Sequence, residues 1–160
     1  GLLSDTHGTL DERVFSFFKD CDEVWHAGDI GSEEVIERLE NFKPLRIVYG
    51  NIDSHAIRNH VAEELVFQLE GVKVYMTHIG GYPGRYDKQA YAALLKHRPK
   101  LFVCGHSHIL KVMFDKDLNM LHINPGAEGN FGFHQKRTLI RFVIDGDKMK
   151  DLEVIELGER

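Results

Sequence analysis

Seven polar residues of this chain have the types and spacing of metal ligands. They are Asp5 and His7 in "SDTHG", Asp29 after Gly28, Asn51 after Gly50, His78 in "MTH", and His106 and His108 in "GHSH". An aspartate and a histidine two positions apart point the same way while the chain is extended, so Asp5 and His7 can share an ion. Carboxylate, amide and imidazole donors without a thiolate suit Mn²⁺, Fe, Co²⁺, Ni²⁺ or Zn²⁺, and argue against a structural thiolate zinc. Seven donors are too many for one catalytic ion with an open position. They suit two ions about 3.5–4 Å apart that share a carboxylate. Singly, each piece has a commoner reading: a cap and a surface histidine for Asp5-x-His7, turns for Gly28-Asp29 and Gly50-Asn51, a satisfied core histidine for His78. The metal reading rests on their joint occurrence, each after an apolar strand.

The elements that must carry these residues follow from apolar spacing. Residues 1–4 read as the tail of a strand, and residues 9–19 as a helix with Leu10, Val14, Phe17 and Phe18 on one face. Residues 22–28 form a short strand. Residues 32–40 form a helix capped by Ser32 that buries Val35, Ile36 and Leu39. With a strand at 44–50, the first fifty residues are β-α-β-α-β, the pattern of a parallel sheet with helices packed on it. Residues 64–78 read as a hairpin about Glu70-Gly71, followed by a polar, glycine-rich loop, a helix from about Asp87 to Lys96 and a buried strand at 100–108. Two more hairpins end the chain, the last turning at Asp145-Gly146. The expected fold is mixed α/β, two mixed sheets with flanking helices in one domain spanning 1–160. Ligands gather at the carboxyl ends of strands in open α/β sheets, which is where all seven candidates fall.

Bulk properties exclude several function classes. A net charge of −5 argues against stable nucleic-acid binding, which needs a basic face. It does not argue against a phosphate-bearing substrate, because bound ions would supply local positive charge. No apolar run has membrane-spanning length, and no signal peptide is read. Gly1 falls in mid-strand, so native residues are expected ahead of it. Cys21 and Cys104 read as reduced, packed thiols, and the expected location is the cytoplasm. Exposed hairpins could pair edges to give a homo-oligomer.

The ordered set "SDTHG", "HAGD", "GNID", "MTH", "GHSH" and the downstream "NPGA" resembles the calcineurin-like metallophosphoesterases, and most of all their small bacterial and archaeal phosphodiesterases. The resemblance implies an αββα sandwich of two mixed sheets. It implies that Asp5, His7 and His108 hold one divalent ion, that Asn51, His78 and His106 hold a second, and that Asp29 bridges them. Manganese is the favoured metal, with nickel, cobalt, iron and zinc as alternatives. The implied reaction is hydrolysis of a small phosphate ester or nucleotide diester by a hydroxide bridging the ions, with Asn51 stabilising charge on the phosphoryl oxygens.

One position departs from the pattern. Many relatives carry histidine after the Gly-Asn, where this chain has Ile52, which cannot donate a proton. Asp53 is expected to orient a ligand histidine, and His55, His60 and His134 are the candidate replacement acids. Arg85, in the loop after His78, is the candidate phosphate contact. His26 is expected to pack beside the site, His97 and His122 to be structural, and Asn124 and Gly126 to shape the far wall. The competing class is a non-catalytic protein-binding scaffold on the same fold, like the retromer scaffold subunit. Scaffolds of that kind tend to lose ligands, and here all seven positions hold competent residues. A Ser/Thr protein phosphatase is disfavoured by the short chain and by Ile52.

Overall fold

A computed structural model describes residues 1–159. The strands are β1 (Leu2–Leu3), β2 (Val24–His26), β3 (Leu45–Ile47), β4 (Glu64–Leu69), β5 (Val72–Thr77), β6 (Gly81–Tyr82), β7 (Arg85–Tyr86), β8 (Leu101–Val103), β9 (Leu110–Asp115), β10 (Met120–Pro125), β11 (Lys136–Asp145) and β12 (Lys148–Glu159). The helices are α1 (Glu12–Phe17), α2 (Glu33–Phe42), α3 (His55–Arg58) and α4 (Lys88–His97). One five-stranded sheet has the order β12-β11-β1-β2-β3 and the other β4-β5-β8-β10-β9. In the first, β1, β2 and β3 are parallel; in the second, β5, β8 and β10 are parallel. Antiparallel strands complete both, so each sheet is mixed, as expected.

Alternation along the strands makes the layers. Leu2, Trp25, Val74, Met76, Leu101 and Val103 face the space between the sheets. Their neighbours Leu3 and Val24 face outward against Val14, Phe18, Val35 and Leu39 of the region of α1 and α2. Tyr75 and Phe102 face outward on the other sheet against Ala90 and Leu94 of α4. Strands buried on both faces must be apolar throughout, which is why the sequence shows apolar runs instead of alternation. The result is an αββα sandwich with three apolar layers.

Several elements are shorter than the spacing suggests. The first helix begins only at Glu12, because Asp11 caps it by accepting from the Arg13 amide. The glycine-rich loop after His78 folds into the small β6–β7 hairpin. Ser54 caps α3, a single turn absent from the expected elements. Among the described residues no helix is long and apolar enough to cross a membrane.

Two histidines are buried far from water. Burial pushes both His26 and His122 down to about 4. Among the described residues neither ring nitrogen of His122 has a hydrogen-bond partner, and its ring lies 5.5 Å from that of Phe102. A group whose folded pKa is depressed in this way binds its proton more readily when unfolded. Stability is therefore full above about pH 6.5 and falls as pH drops toward 4, by at most about 3 kcal/mol per histidine. Urea unfolding at pH 7 and pH 5 is expected to show this loss. His122→Leu is expected to be no less stable than wild type at pH 7 and to flatten the pH dependence.

Candidate metal centre

The carboxyl ends of β1, β2, β5 and β8, and the turn after β3, meet at one rim. Two clusters form there, Asp5 with His7 and His108, and Asp29 with His78 and His106; within each, the potential ligand atoms lie within 4.8 Å of one another. Asp29 touches both, its Oδ2 lying 3.9 Å from His7 Nε2 and its Oδ1 3.2 Å from His78 Nε2. Asp5 Oδ1 lies 3.1 Å from His108 Nε2 and 3.9 Å from His78 Nε2. Six of the seven sequence-predicted ligands are thus brought together. Asn51 lines a cleft of about 350 Å³ beside them, in company with His78.

The donor set fits cations. His78 Nδ1 lies 2.7 Å from the Ala27 carbonyl, which can only accept, so Nδ1 carries a hydrogen and, in the neutral ring, Nε2 presents a lone pair. That nitrogen faces two carboxylates and, among the described residues, is buried without a hydrogen bond, as is Asp5 Oδ1. Buried polar atoms are rarely left so, and acceptors facing acceptors repel unless a cation stands between them. Burial depresses the imidazoles of His7 and His106, keeping them neutral. Burial acts the same way on His78, but the carboxylates of Asp29 and Asp5 outweigh it and raise the net value. Burial would raise the Asp29 carboxyl, but His78 and the Ile52 amide overcome it and hold it below its ordinary range.

The backbone is strained in the same place. Asp5, His7, Asp29, His106 and His108 all have φ between 50° and 67°. This left-handed region costs a non-glycine residue roughly 1–2 kcal/mol, and such strain collects at functional sites. The glycines allow close approach: a Cβ on Gly50 would strike the Asp29 carboxylate.

A layer of clips holds these loops. The Asp53 carboxylate accepts from the amides of Gly50 (2.8 Å), Ile30 (3.1 Å) and Gly31 (2.8 Å). It was expected to orient a histidine; it binds instead the backbones that carry Asp29 and Asn51, because those amides point inward at the sheet's end. Asn124, expected as a wall, clips the "GHSH" loop, donating to the Gly105 carbonyl at 2.8 Å and to Ser107 Oγ at 3.0 Å. The Gly28 amide donates to His26 Nδ1, so His26 Nε2–H donates to Thr6 Oγ1 at 2.9 Å, and Thr6 donates to the Ile30 carbonyl. Thr6 and Glu128 were missed from sequence. The Asp11 amide donates to Glu128 Oε1 at 2.8 Å, fixing the turn after Asp5-Thr6-His7.

Arg85 sits exposed on β7 and does not line the cleft. The arginine that does is Arg58, which donates to the carbonyls of Asn51 (2.8 Å) and Asp53 (2.8 Å) and stacks 4.9 Å over the Tyr49 ring. Sequence reasoning missed it because α3, whose Ser54 cap is a readable signal, is absent from the expected elements. Of the candidate acids, His60 Nε2 pairs with Glu33 at 3.2 Å, while His134 packs on His108.

Comparison with known proteins bears on this geometry. The family model described as calcineurin-like phosphoesterase superfamily domain matches residues 1–147. A protein of Methanothermobacter thermautotrophicus named "Probable metallophosphoesterase" is 29% identical over 99% of this chain and 92% of its own length. A solved archaeal phosphodiesterase is 22% identical with a TM-score of 0.72, covering 98% of both chains. Wild-type Vps29 of Entamoeba histolytica, solved in complex with zinc, is 15% identical with a TM-score of 0.71, covering 98% of this chain and 96% of that one. At those identities both structures speak for the fold alone.

Replacing Asp53 by alanine is expected to cost about 3 kcal/mol in urea unfolding, since it strips a charged acceptor from three backbone amides, those of Ile30 and Gly50 buried. Unchanged stability would contradict the role of Asp53 as the clip between the two loops.

Proposed function

The chain belongs to the calcineurin-like phosphoesterase superfamily, and from that premise we propose that it hydrolyses phosphodiesters at two divalent ions. Asp5, His7 and His108 hold one ion, Asn51, His78 and His106 hold the other, and Asp29 lies between them. The observation that carries this reading is the pair of adjacent clusters that share Asp29 and contain unpartnered, buried Asp5 Oδ1 and His78 Nε2. When bound, the ions supply Lewis acidity and bring the pKa of water down to about 7.

The protein's own groups do the rest. His78 is locked with its Nε2 toward the centre by the Ala27 carbonyl. Asn51, which lines the cleft, would offer its carboxamide to a bound phosphoryl group. Tyr49, Arg58, Glu63, Thr77 and Gln89 line the cleft beside it, and its volume suits one small, polar ester arm. Ile52 is 46% exposed next to Asn51 and offers no proton to a departing alkoxide. A diester with a good leaving group is therefore the better substrate, and alkyl monoesters the poorer. Manganese is our first choice of metal, with nickel, cobalt, iron and zinc next.

The test is turnover of an aryl phosphodiester beside the matching monoester, with and without Mn²⁺, on wild type and Asp29→Asn. The expected result is metal-dependent diester hydrolysis exceeding monoester hydrolysis, reduced about 100-fold or more in the variant, the scale of losing one electrostatic stabiliser. No turnover with Mn²⁺, Ni²⁺, Co²⁺ or Zn²⁺ from a folded, ion-loaded protein would favour the non-catalytic scaffold reading.

A further inference from the structure

We propose that His134, on the strap joining β10 to β11, is a positioning residue that sets the tautomer of His108 and aims its Nε2 lone pair at the first ligand cluster. The inference rests on the metal-site reading above and extends it to a residue outside the motifs.

The hydrogen bonds fix the protons in sequence. His134 Nε2 lies 3.0 Å from the Gly129 carbonyl oxygen. A carbonyl only accepts, so that nitrogen carries the hydrogen, and Nδ1 of the neutral ring is a lone pair. Nδ1 in turn lies 3.0 Å from His108 Nδ1. For those two nitrogens to bond, His108 must carry its hydrogen on Nδ1. His108 Nε2 is left as a lone pair, 3.1 Å from Asp5 Oδ1 and 3.3 Å from His7 Nε2. Histidine ligands are commonly fixed in this way through their second nitrogen. His78 achieves it with the Ala27 carbonyl, and His108 with another histidine.

The strap is built for that contact. Its base is tied to the ligand-bearing loop by Glu128 N to Ser4 O (2.9 Å) and Gly129 N to Asp5 O (3.0 Å). Its far end is tied back by Thr138 N to Ala127 O (2.9 Å) and by Arg137 Nε to Glu128 O (2.6 Å). Between the ties, the Phe131 ring lies 5.8 Å from the His7 ring, and the His134 ring stands nearly perpendicular to that of His108 at 4.9 Å. Gly132, at φ +129°, passes so close that a Cβ there would strike the His108 ring. Both histidines of the first cluster are thus backed by one segment, so its loss should weaken one ion of the two.

The test reads the proton directly. In metal-free protein with ¹⁵N-labelled histidine, long-range ¹H–¹⁵N spectra are expected to show His108 protonated on Nδ1. His134→Ala is expected to shift His108 toward the Nε2–H form, and His134→Asn, whose carboxamide oxygen can accept from Nδ1–H, to restore it. Calorimetric titration with Mn²⁺ should then show one of two binding steps weakened about 10- to 100-fold in His134→Ala, with the other unchanged. An Nε2–H His108 in wild type, or an alanine variant with unaltered tautomer and affinities, would overturn the inference. Because the tautomer is read without metal, a wild-type protein that binds no Mn²⁺ would overturn the metal reading and leave the tautomer result to decide the role of His134.

Discussion

The constraint on which the site depends is the crowding of acceptors around Asp5 and Asp29. Asp5 Oδ1 has three imidazole nitrogens within 3.1 to 4.0 Å, and Asp29 spans to His7 and His78. His78 is held with its Nε2 inward, and His108 is bonded through its other nitrogen. Left to themselves, carboxylates and lone pairs at these distances repel. Their approach is enforced by backbone in the left-handed region at five of the candidate ligand residues. A packed scaffold holds the arrangement, and a cation between the acceptors, or a proton shared by His78 and Asp29, relieves it.

The sandwich meets that demand by ending parallel strands at one rim. Three apolar layers fix the strand ends, and a set of polar clips then fixes the loops. Asp53 joins the loops of Asp29 and Asn51, Asn124 holds the "GHSH" loop, and Glu128 with Arg137 holds the strap against the turn after β1. Buried Glu128 is pushed above its usual range by desolvation, which its Asp11 amide and Arg137 partners only partly offset. Each clip fixes a loop that carries, or packs against, a candidate ligand.

Much of this was legible in the sequence, for physical reasons. Strands buried on both faces must be apolar, so Val72–Thr77 and Leu101–Val103 stand out, and the polar residue that ends each is conspicuous. The clips were not legible because they act across distance in the chain. Asn124 serves a loop 17 to 19 residues upstream, and Glu128 serves Asp11 across 117; spacing cannot reveal either. Asp53 was read for its chemistry when its geometry assigns it to backbone amides. The β6–β7 hairpin and α3 did carry signals in turn and cap chemistry, Pro83-Gly84 between Tyr82 and Arg85 and the Ser54 cap.

The most direct test of the central claim is anomalous diffraction from crystals grown with Mn²⁺. The expected result is two peaks about 3.5–4 Å apart flanking the Asp29 carboxylate, one within reach of His7 and His108 and the other of His78 and His106. A single peak, or peaks away from Asp29, would contradict the claim that this crowded set of acceptors exists to hold a pair of ions.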